Sequence, residues 1–427
     1  MAGTAQIAFA AAVFLTTYAI VISEKIHRTI IVLAGSALIV VFGVLDFYQA
    51  IEAIDFNVIG LLAAMMVMVG LTRQSGIIEF AAVSVAKLSR GNPAIIMTVL
   101  SLLVAVLSAL LDNVTTVLIA VPISISVAHK LEIDPLPIVI SEVILSNIGG
   151  AATLIGDPPN LLIGSASGLG FMDFVVNLLP ILLIVMAMTL FLLWMIYRKR
   201  LKVTPESRDR LMAMDAGGEL KDPSLAVQTL VILGLTVIGF VFHQNLGLES
   251  ATVAICGAAL MLLVVRPDPE QAFSHVEWPV IFFFVGLFVL VGSLEAVGII
   301  EWLATVSLRL TGGELMPTGI VILWLSAIAS AFVDNIPFTA TMIPLIQEIG
   351  LQSSLVSIEP LWWCLALGAC LGGNGTLVGA SANVVAVGML EEDGYKISFL
   401  RYMAVGFPLM LLSVAASMLY LAAFYLQ

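Results

Sequence analysis

Charge is scarce in this sequence. Only 11% of its 427 residues are charged, against about 25% in a soluble domain. A water-facing shell around a core of this size is therefore excluded. Cysteine is scarcer still: Cys256, Cys364 and Cys370 show no spacing for a disulfide framework or a zinc site. The four histidines stand singly. No Walker-type phosphate loop is present, which excludes nucleotide-driven work by this chain alone. No nucleophile–base pair or metal-ligand set lies in the apolar segments, so an enzyme is not expected, and neither is a cofactor or a nucleic-acid partner. The first apolar segment lacks a basic flank and runs on into further segments, so it reads as a membrane span rather than a cleavable signal. The net charge of −12 excludes little, because a membrane protein places charge by topology.

What the sequence has is apolar length. Hydrophobic residues make up 61% of it, in runs such as Ile7 to Ile22, Thr29 to Leu45, Val58 to Thr72, Val175 to Tyr197 and Tyr402 to Tyr425. Each approaches the roughly 20 residues that carry a helix across about 30 Å of hydrocarbon. The expected class is an all-α polytopic membrane protein in a lipid bilayer.

The chain also repeats itself. Shifted by 222 positions, Gly35 meets Gly257, Asp46 meets Asp268, Gly76 meets Gly298, Ser108-Ala109 meets Ser330-Ala331, Asp112-Asn113 meets Asp334-Asn335 and Pro122 meets Pro344. Shifted by 223, Gly149-Gly150, Thr153, Gly156 and Asn160 meet Gly372-Gly373, Thr376, Gly379 and Asn383. Apolar residues would coincide often by chance; glycine, proline, aspartate and asparagine in one register would not, and paired interruptions in two apolar halves mark a repeat transporter. The expected organisation is a first repeat over residues 1–197, a cytoplasmic linker over 198–224 and a second, inverted repeat over 225–427. Each repeat reads as five transmembrane helices, one of them broken, plus a re-entrant hairpin.

Basic residues orient this arrangement, since cytoplasmic loops collect lysine and arginine. With both termini outside, Lys25 and Arg28 fall in the first inner loop, and Arg198, Lys199, Arg200, Lys202, Arg208, Arg210 and Lys221 fall in the linker. Of the 17 basic residues, only Arg309 then lies outside. The expected location is a bacterial-type inner (plasma) membrane. The polar linker reads most simply as a tether.

Two pairs of polar interruptions carry the chemistry. Asp112-Asn113 and Asp334-Asn335 each sit within a long apolar stretch, where a hairpin tip near the midplane fits and where Asp and Asn suit the turn. Asn147 through Asn160, and Gly372 through Asn383, hold too much glycine and proline for a continuous helix. Non-helical backbone at membrane depth must be buried in protein or line a water-filled cavity. Inverting the repeats brings the tips and breaks to one locus. An ionised carboxylate there costs roughly 2.5 to 3.5 kcal/mol, and it needs a cation, a donor network or a proton; burial favours the protonated form of a carboxyl group. Asp112 and Asp334 are therefore candidates for proton coupling, with simple capping of the tips as the alternative. Glu142, mid-span and opposite Leu365 in the repeat, is a candidate relay. Asn113, Thr115, Asn147, Gly149, Gly150, Thr153, Asn160, Asn335, Gly372, Gly373, Asn374, Thr376 and Asn383 are candidates for substrate binding, or else satisfy the broken backbone. Asp157 has no acidic mate and reads equally as the holder of the Pro158-Pro159 turn.

At these motifs, Ser108 to Asn113, Gly149 to Asn160, Asp334 to Phe338 and Gly372 to Thr376, the chain resembles the ion-transporter superfamily. That group includes ArsB-type arsenite permeases, the melanosomal P protein, NhaD-type sodium/proton antiporters and the citrate and dicarboxylate carriers. Asp-Asn at both tips, where the dicarboxylate carriers have Ser-Asn-Thr, makes it look most like the ArsB and P-protein branch, since an acidic tip repels a dicarboxylate. The resemblance implies export of arsenite or antimonite in exchange for protons. Asp112 and Asp334 would then handle protons, and Asn113, Asn335, Thr153, Thr376 and the glycine-rich backbone would bind hydroxyl groups. A cytosolic ATPase subunit is a possible partner on the same ground. Sodium/proton antiport is the alternative. Anion transport would require a basic residue at the site, and none is expected there. Metalloid ligation by Cys364 and Cys370 is not expected, because six residues apart they face different sides of a helix and buried cysteine is mostly inert.

Overall fold

The computed structural model describes residues 3–23, 25–201, 203–353 and 355–427; Lys202 of the linker lies outside the described residues. The first half runs α1 (Thr4–Ser23), α2 (Arg28–Val41), α3 (Phe56–Gln74), α4 (Ile77–Leu88), α5 (Pro93–Leu110), α6 (Asn113–Leu131), α7 (Leu136–Gly150), α8 (Pro158–Ser167) and α9 (Phe171–Tyr197). The second runs α10 (Pro223–Phe242), α11 (Ser250–Val265), α12 (Trp278–Ala296), α13 (Ile299–Thr311), α14 (Leu315–Phe332), α15 (Asn335–Gln352), α16 (Glu359–Gly372), α17 (Ser381–Glu392) and α18 (Phe399–Phe424). Each helix thus has its mate nine places on. The boundaries of α3 and α12, and of α5 and α14, differ by the same 222 positions as the motifs. Five spans, an odd number, are expected in each half, and on that count the repeats are expected to be inverted.

Among the described residues, nine helices are long and apolar enough to cross a membrane, and α2, α7 and α11 are shorter apolar helices. At 18 and 19 residues, α5 and α6 each have the length and apolarity of a span. What turns them is local chemistry at the tip. Leu111 and Val333 are extended, and the next residue, Asp112 or Asp334, caps the following helix by accepting from the Thr115 N–H at 2.8 Å or the Ile336 N–H at 3.1 Å.

The halves interlock. α2 packs on α12 and α3 packs on α11, so each half completes the other's framework. Within each half, the first hairpin arm packs along the helix before the break, α5 on α7 and α14 on α16.

The linker is more than a tether. It forms two short helices, Pro205–Met212 and Ala216–Glu219. The N–H groups of Lys221 and Asp222 donate to the Ser75 carbonyl at 3.0 and 3.2 Å, and Lys87 Nζ donates to the Met214 carbonyl at 2.6 Å. Arg210 pairs with Glu132 at the end of α6 at 2.7 Å; together with the Ser207 hydroxyl it holds the Glu132 carboxyl below the usual carboxylate range. Leu211 is fully buried beneath it. The linker therefore seats on the ends of α4 and α6.

The repeat supplies its own control for this docking. Gly76 and Gly298 open α4 and α13 with φ of 78° and 82°. A Cβ on Gly76 would also sit 2.0 Å from the Glu219 carbonyl oxygen, whereas at Gly298 nothing lies closer than 3.9 Å. Gly298→Ala is expected to add only the left-handed strain, about 1–2 kcal/mol. Gly76→Ala is expected to add that strain and to displace the linker. Limited trypsin digestion should then cut the linker faster in Gly76→Ala than in Gly298→Ala; equal rates would contradict the docking.

Candidate functional site

Four interruptions converge, the N-termini of α6 and α15 and the breaks α7/α8 and α16/α17. At their centre lies Asp157. It is the N-cap residue of α8, yet its side chain makes no capping bond. Its carboxylate instead accepts from Asn113 Nδ2 at 3.4 Å and from Asn335 Nδ2 at 3.3 Å, which ties the two hairpin tips together. Asn113 also donates to Asn147 Oδ1 at 3.2 Å. Asn147 Nδ2 donates across the repeats to Asn374 Oδ1 and Asn383 Oδ1, both at 2.9 Å, and Asn374 Nδ2 returns to the Ile144 carbonyl at 3.3 Å. All of these side chains are buried. Buried polar networks of this kind hold a unique geometry only when their members are satisfied.

The other candidate residues brace the breaks. Thr153 donates to the Ala109 carbonyl and Thr376 to its repeat mate, the Ala331 carbonyl. Asn160 Nδ2 donates to the carbonyls of Ala151 and Thr153, and Asn383 Nδ2 to those of Gly373 and Thr376, at 2.8 to 3.1 Å. Their donors are thus spent on backbone rather than offered to a ligand. Gly149 and Gly372 serve contact between helices, and Gly150 and Gly373 pack against the backbone of Gly156 and Gly379. Thr115 is placed here by its N–H, which Asp112 caps. Glu142 lies apart, two turns before the end of α7; it accepts from the Ser124 hydroxyl, with its second oxygen unpaired.

One expectation is overturned. The site does hold a basic residue. Arg28, assigned by charge pattern to a loop, is the first residue of α2 and reaches the second hairpin tip. Its Nη1 donates to Asp334 Oδ2 at 2.5 Å and to Ser381 Oγ at 2.8 Å, and Ser381 Oγ donates to Asp334 Oδ2 at 2.9 Å. The guanidinium also lies 5.1 Å from the centre of the Phe283 ring. The repeat mates of Arg28 and Ser381 are Ser250 and Pro158, and among the described residues Asp112 makes no such ion pair. Asp112 and Asp334 cap equivalent helices, but their surroundings differ.

Between the tips lies a small cavity of about 60 Å³, lined by Arg28, Asp112, Asn113, Asp157, Glu277, Asn335 and Ser381, with Leu62, Met66 and Val280 among its apolar walls. Of these, the charge pattern puts Arg28 in a loop, the sequence leaves Asp157 open between a site residue and the holder of its turn, and neither Glu277 nor Ser381 is singled out by it. The cysteines stay outside the cavity; Cys370 donates from α16 to Asn160 Oδ1 at 3.6 Å.

The citrate-transporter family model, CitMHS, matches residues 18–368. An uncharacterized transporter of Mycobacterium tuberculosis is 40% identical over 420 residues, covering 96% of this chain and 97% of that protein. A 46 kDa membrane protein of Mycobacterium leprae is 38% identical, covering 97% and 98%. The human P protein is 34% identical over 97% of this chain, which spans 60% of the P protein. The crystal structure of the Alcanivorax borkumensis YdaH transporter shares the fold, with a TM-score of 0.62 at 13% identity over 93% of this chain and 96% of that one. The superfamily resemblance therefore stands, with citrate as the substrate that the family description names and none named for the mycobacterial relatives. The chain belongs to the citrate-transporter family of membrane transporters.

Proposed function

We propose that this chain is a proton-coupled secondary transporter that exports a small uncharged hydroxide, of which arsenite and antimonite are the expected cases. The observation that supports it is the lining of the central cavity. At about 60 Å³ the cavity approximates the share of two waters in the liquid. Its polar lining is carboxylate and amide, from Asp112, Asp157, Glu277, Asn113 and Asn335, with Arg28 already engaged by Asp334. Such a lining offers acceptors and donors to hydroxyl groups and disfavours a free polyanion. Asp112 and Asp334 would carry the coupling protons, with Glu142 as a buried reserve. The moving units would be the hairpins and broken helices of the repeats over 1–197 and 225–427, in an inner membrane with both termini outside, each repeat rocking about the shared site.

Anion transport is the second reading. Arg28 favours it, because a guanidinium released from Asp334 would meet a carboxylate in bidentate geometry. The family description, citrate transporter, favours it too.

Uptake into everted vesicles under an imposed proton gradient separates the two. Accumulation of arsenite that is lost in Asp334→Asn, with no uptake of citrate, is the expected result. Uptake of citrate alone, abolished in Arg28→Gln, would transfer the assignment to anions. Sodium-dependent collapse of the gradient with neither substrate moving would transfer it to sodium/proton antiport.

A further inference from the structure

Two cavities meet at Arg28. One is the central cavity. The other, about 320 Å³, lies between the end of α1, the α1–α2 loop, the tip of the second hairpin and α17. Arg28 and Ser381 line both, and Asp334, bonded to each of them, lines the larger. The three side chains form a closed triangle, with Arg28 Nη1, Ser381 Oγ and Asp334 Oδ2 all within 2.9 Å of one another.

We infer that Arg28, Asp334 and Ser381 form a gate between a vestibule and the central cavity, a role that rests on reading that cavity as the substrate site. The vestibule is bounded by the loop that the basic-residue pattern assigns to the cytoplasm. Opening requires Arg28 to leave Asp334. The pair is placed to respond to transport, because Asp334 rides on a hairpin tip while Arg28 rides on α2, which packs against α12 of the interlocked framework. A hairpin that moves relative to the framework separates the two charges. Tyr18 of α1 bonds the same hairpin, donating to the Pro337 carbonyl at 2.7 Å beside Thr341 at 3.0 Å.

The gate is one-sided. With Ser250 in place of the Arg28 guanidinium and Pro158 in place of the Ser381 hydroxyl, the first hairpin tip lacks the ion pair that builds it. Closure toward the opposite face must then rest on other contacts, which makes the two faces of an inverted-repeat transporter chemically distinct.

The test reads access, not transport. Val280 lines the central cavity from α12. In a Cys256→Ser background, Val280→Cys is labelled with a membrane-impermeant cationic thiosulfonate in everted and in right-side-out vesicles, with buried Cys364 as the monitor of the global fold. Labelling is expected to be slow with the triangle intact. It should be at least about tenfold faster in Arg28→Gln and Asp334→Asn, as expected for a two-state equilibrium biased by one ion pair. The acceleration should appear from the α1–α2 face alone, and Ser381→Ala should be intermediate. Unchanged rates in both charge variants, acceleration from both faces, or acceleration matched at Cys364 would each overturn the gate. Labelling does not depend on what is carried, so failure of arsenite transport with gated labelling rejects the substrate and keeps the gate, while intact transport with ungated labelling does the reverse.

Discussion

Asp157→Asn is expected to lower gradient-driven transport by about a hundredfold or more while the protein stays folded. The carboxylate joins Asn113 of one hairpin tip to Asn335 of the other, and it is buried. An amide in its place keeps one oxygen for one of these donors and turns its own NH2 toward the other. A hydrogen bond to a charged group contributes about 1.5–3 kcal/mol, and each 1.4 kcal/mol is tenfold. Losing one such bond and weakening the second therefore reaches about a hundredfold if the tips must stay joined for substrate to bind. The braces at Thr153, Asn160, Thr376 and Asn383 do not involve Asp157, so the breaks keep their shape. The check is paired: flux in vesicles, and melting temperature in detergent. Wild-type flux in a protein that melts normally would remove Asp157 from the site. The repeat offers no substitute, since the position equivalent to Asp157 is Ala380.

The two halves have thus kept a common frame and divided the charges. Beyond the paired tip aspartates, the first brings Arg28 and Asp157 to the site, and the second brings Glu277 and the neutral Ser381. The frame was legible because it is written in residues that apolar helices rarely carry. Asp112-Asn113 and Asp334-Asn335 stand out from Leu and Val on either side, and Gly149-Gly150 with Gly372-Gly373 cannot be mistaken for span interior. Arg28 was illegible for a physical reason. Charge counting asks which side of the membrane a basic residue occupies, and Arg28 satisfies that count from the end of α2 while its long side chain reaches inward to Asp334. The linker's docking is illegible because it uses backbone carbonyls at Ser75 and Met214, an ion pair to Glu132 and isolated buried residues such as Leu211, which leave no apolar stripe to read. Nor could sequence separate Asn147 from Asn160. Both belong to the same motif, but the Asn147 amide group donates to the other repeat, whereas that of Asn160 donates to its own backbone.

Gly149→Ala is expected to be the most destabilising methyl that can be added near the site. A Cβ there would lie 2.2 Å from the Ala105 carbonyl oxygen and 2.6 Å from its Cα; at Gly372 the corresponding approaches, to Ala327, are 2.6 and 2.8 Å. These neighbours are backbone atoms in the facing helix, so no side chain can rotate away. Overpacking of this kind costs about 1–3 kcal/mol and occasionally more, and Gly149→Ala belongs at the top of that range with Gly372→Ala just below. Gly388, in the interior of α17, has nothing within 4 Å of a built Cβ, so there alanine should stabilise by about 1 kcal/mol through helix propensity alone. Melting temperatures should rank Gly388→Ala highest and Gly149→Ala lowest. The function follows from the same geometry. Ser108 donates to the Ser146 carbonyl at 2.8 Å, and Ser330 donates to the Ala369 carbonyl at 2.6 Å. These bonds hold each hairpin on its broken helix and so hold Asn113 and Asn335 at Asp157. Pushing α5 off α7 carries the tip with it, and Gly149→Ala should lose transport although it touches no substrate. If it melts with the parent and transports normally, the hairpin is not seated on α7 as tightly as the glycine requires, and the tips are positioned by something else.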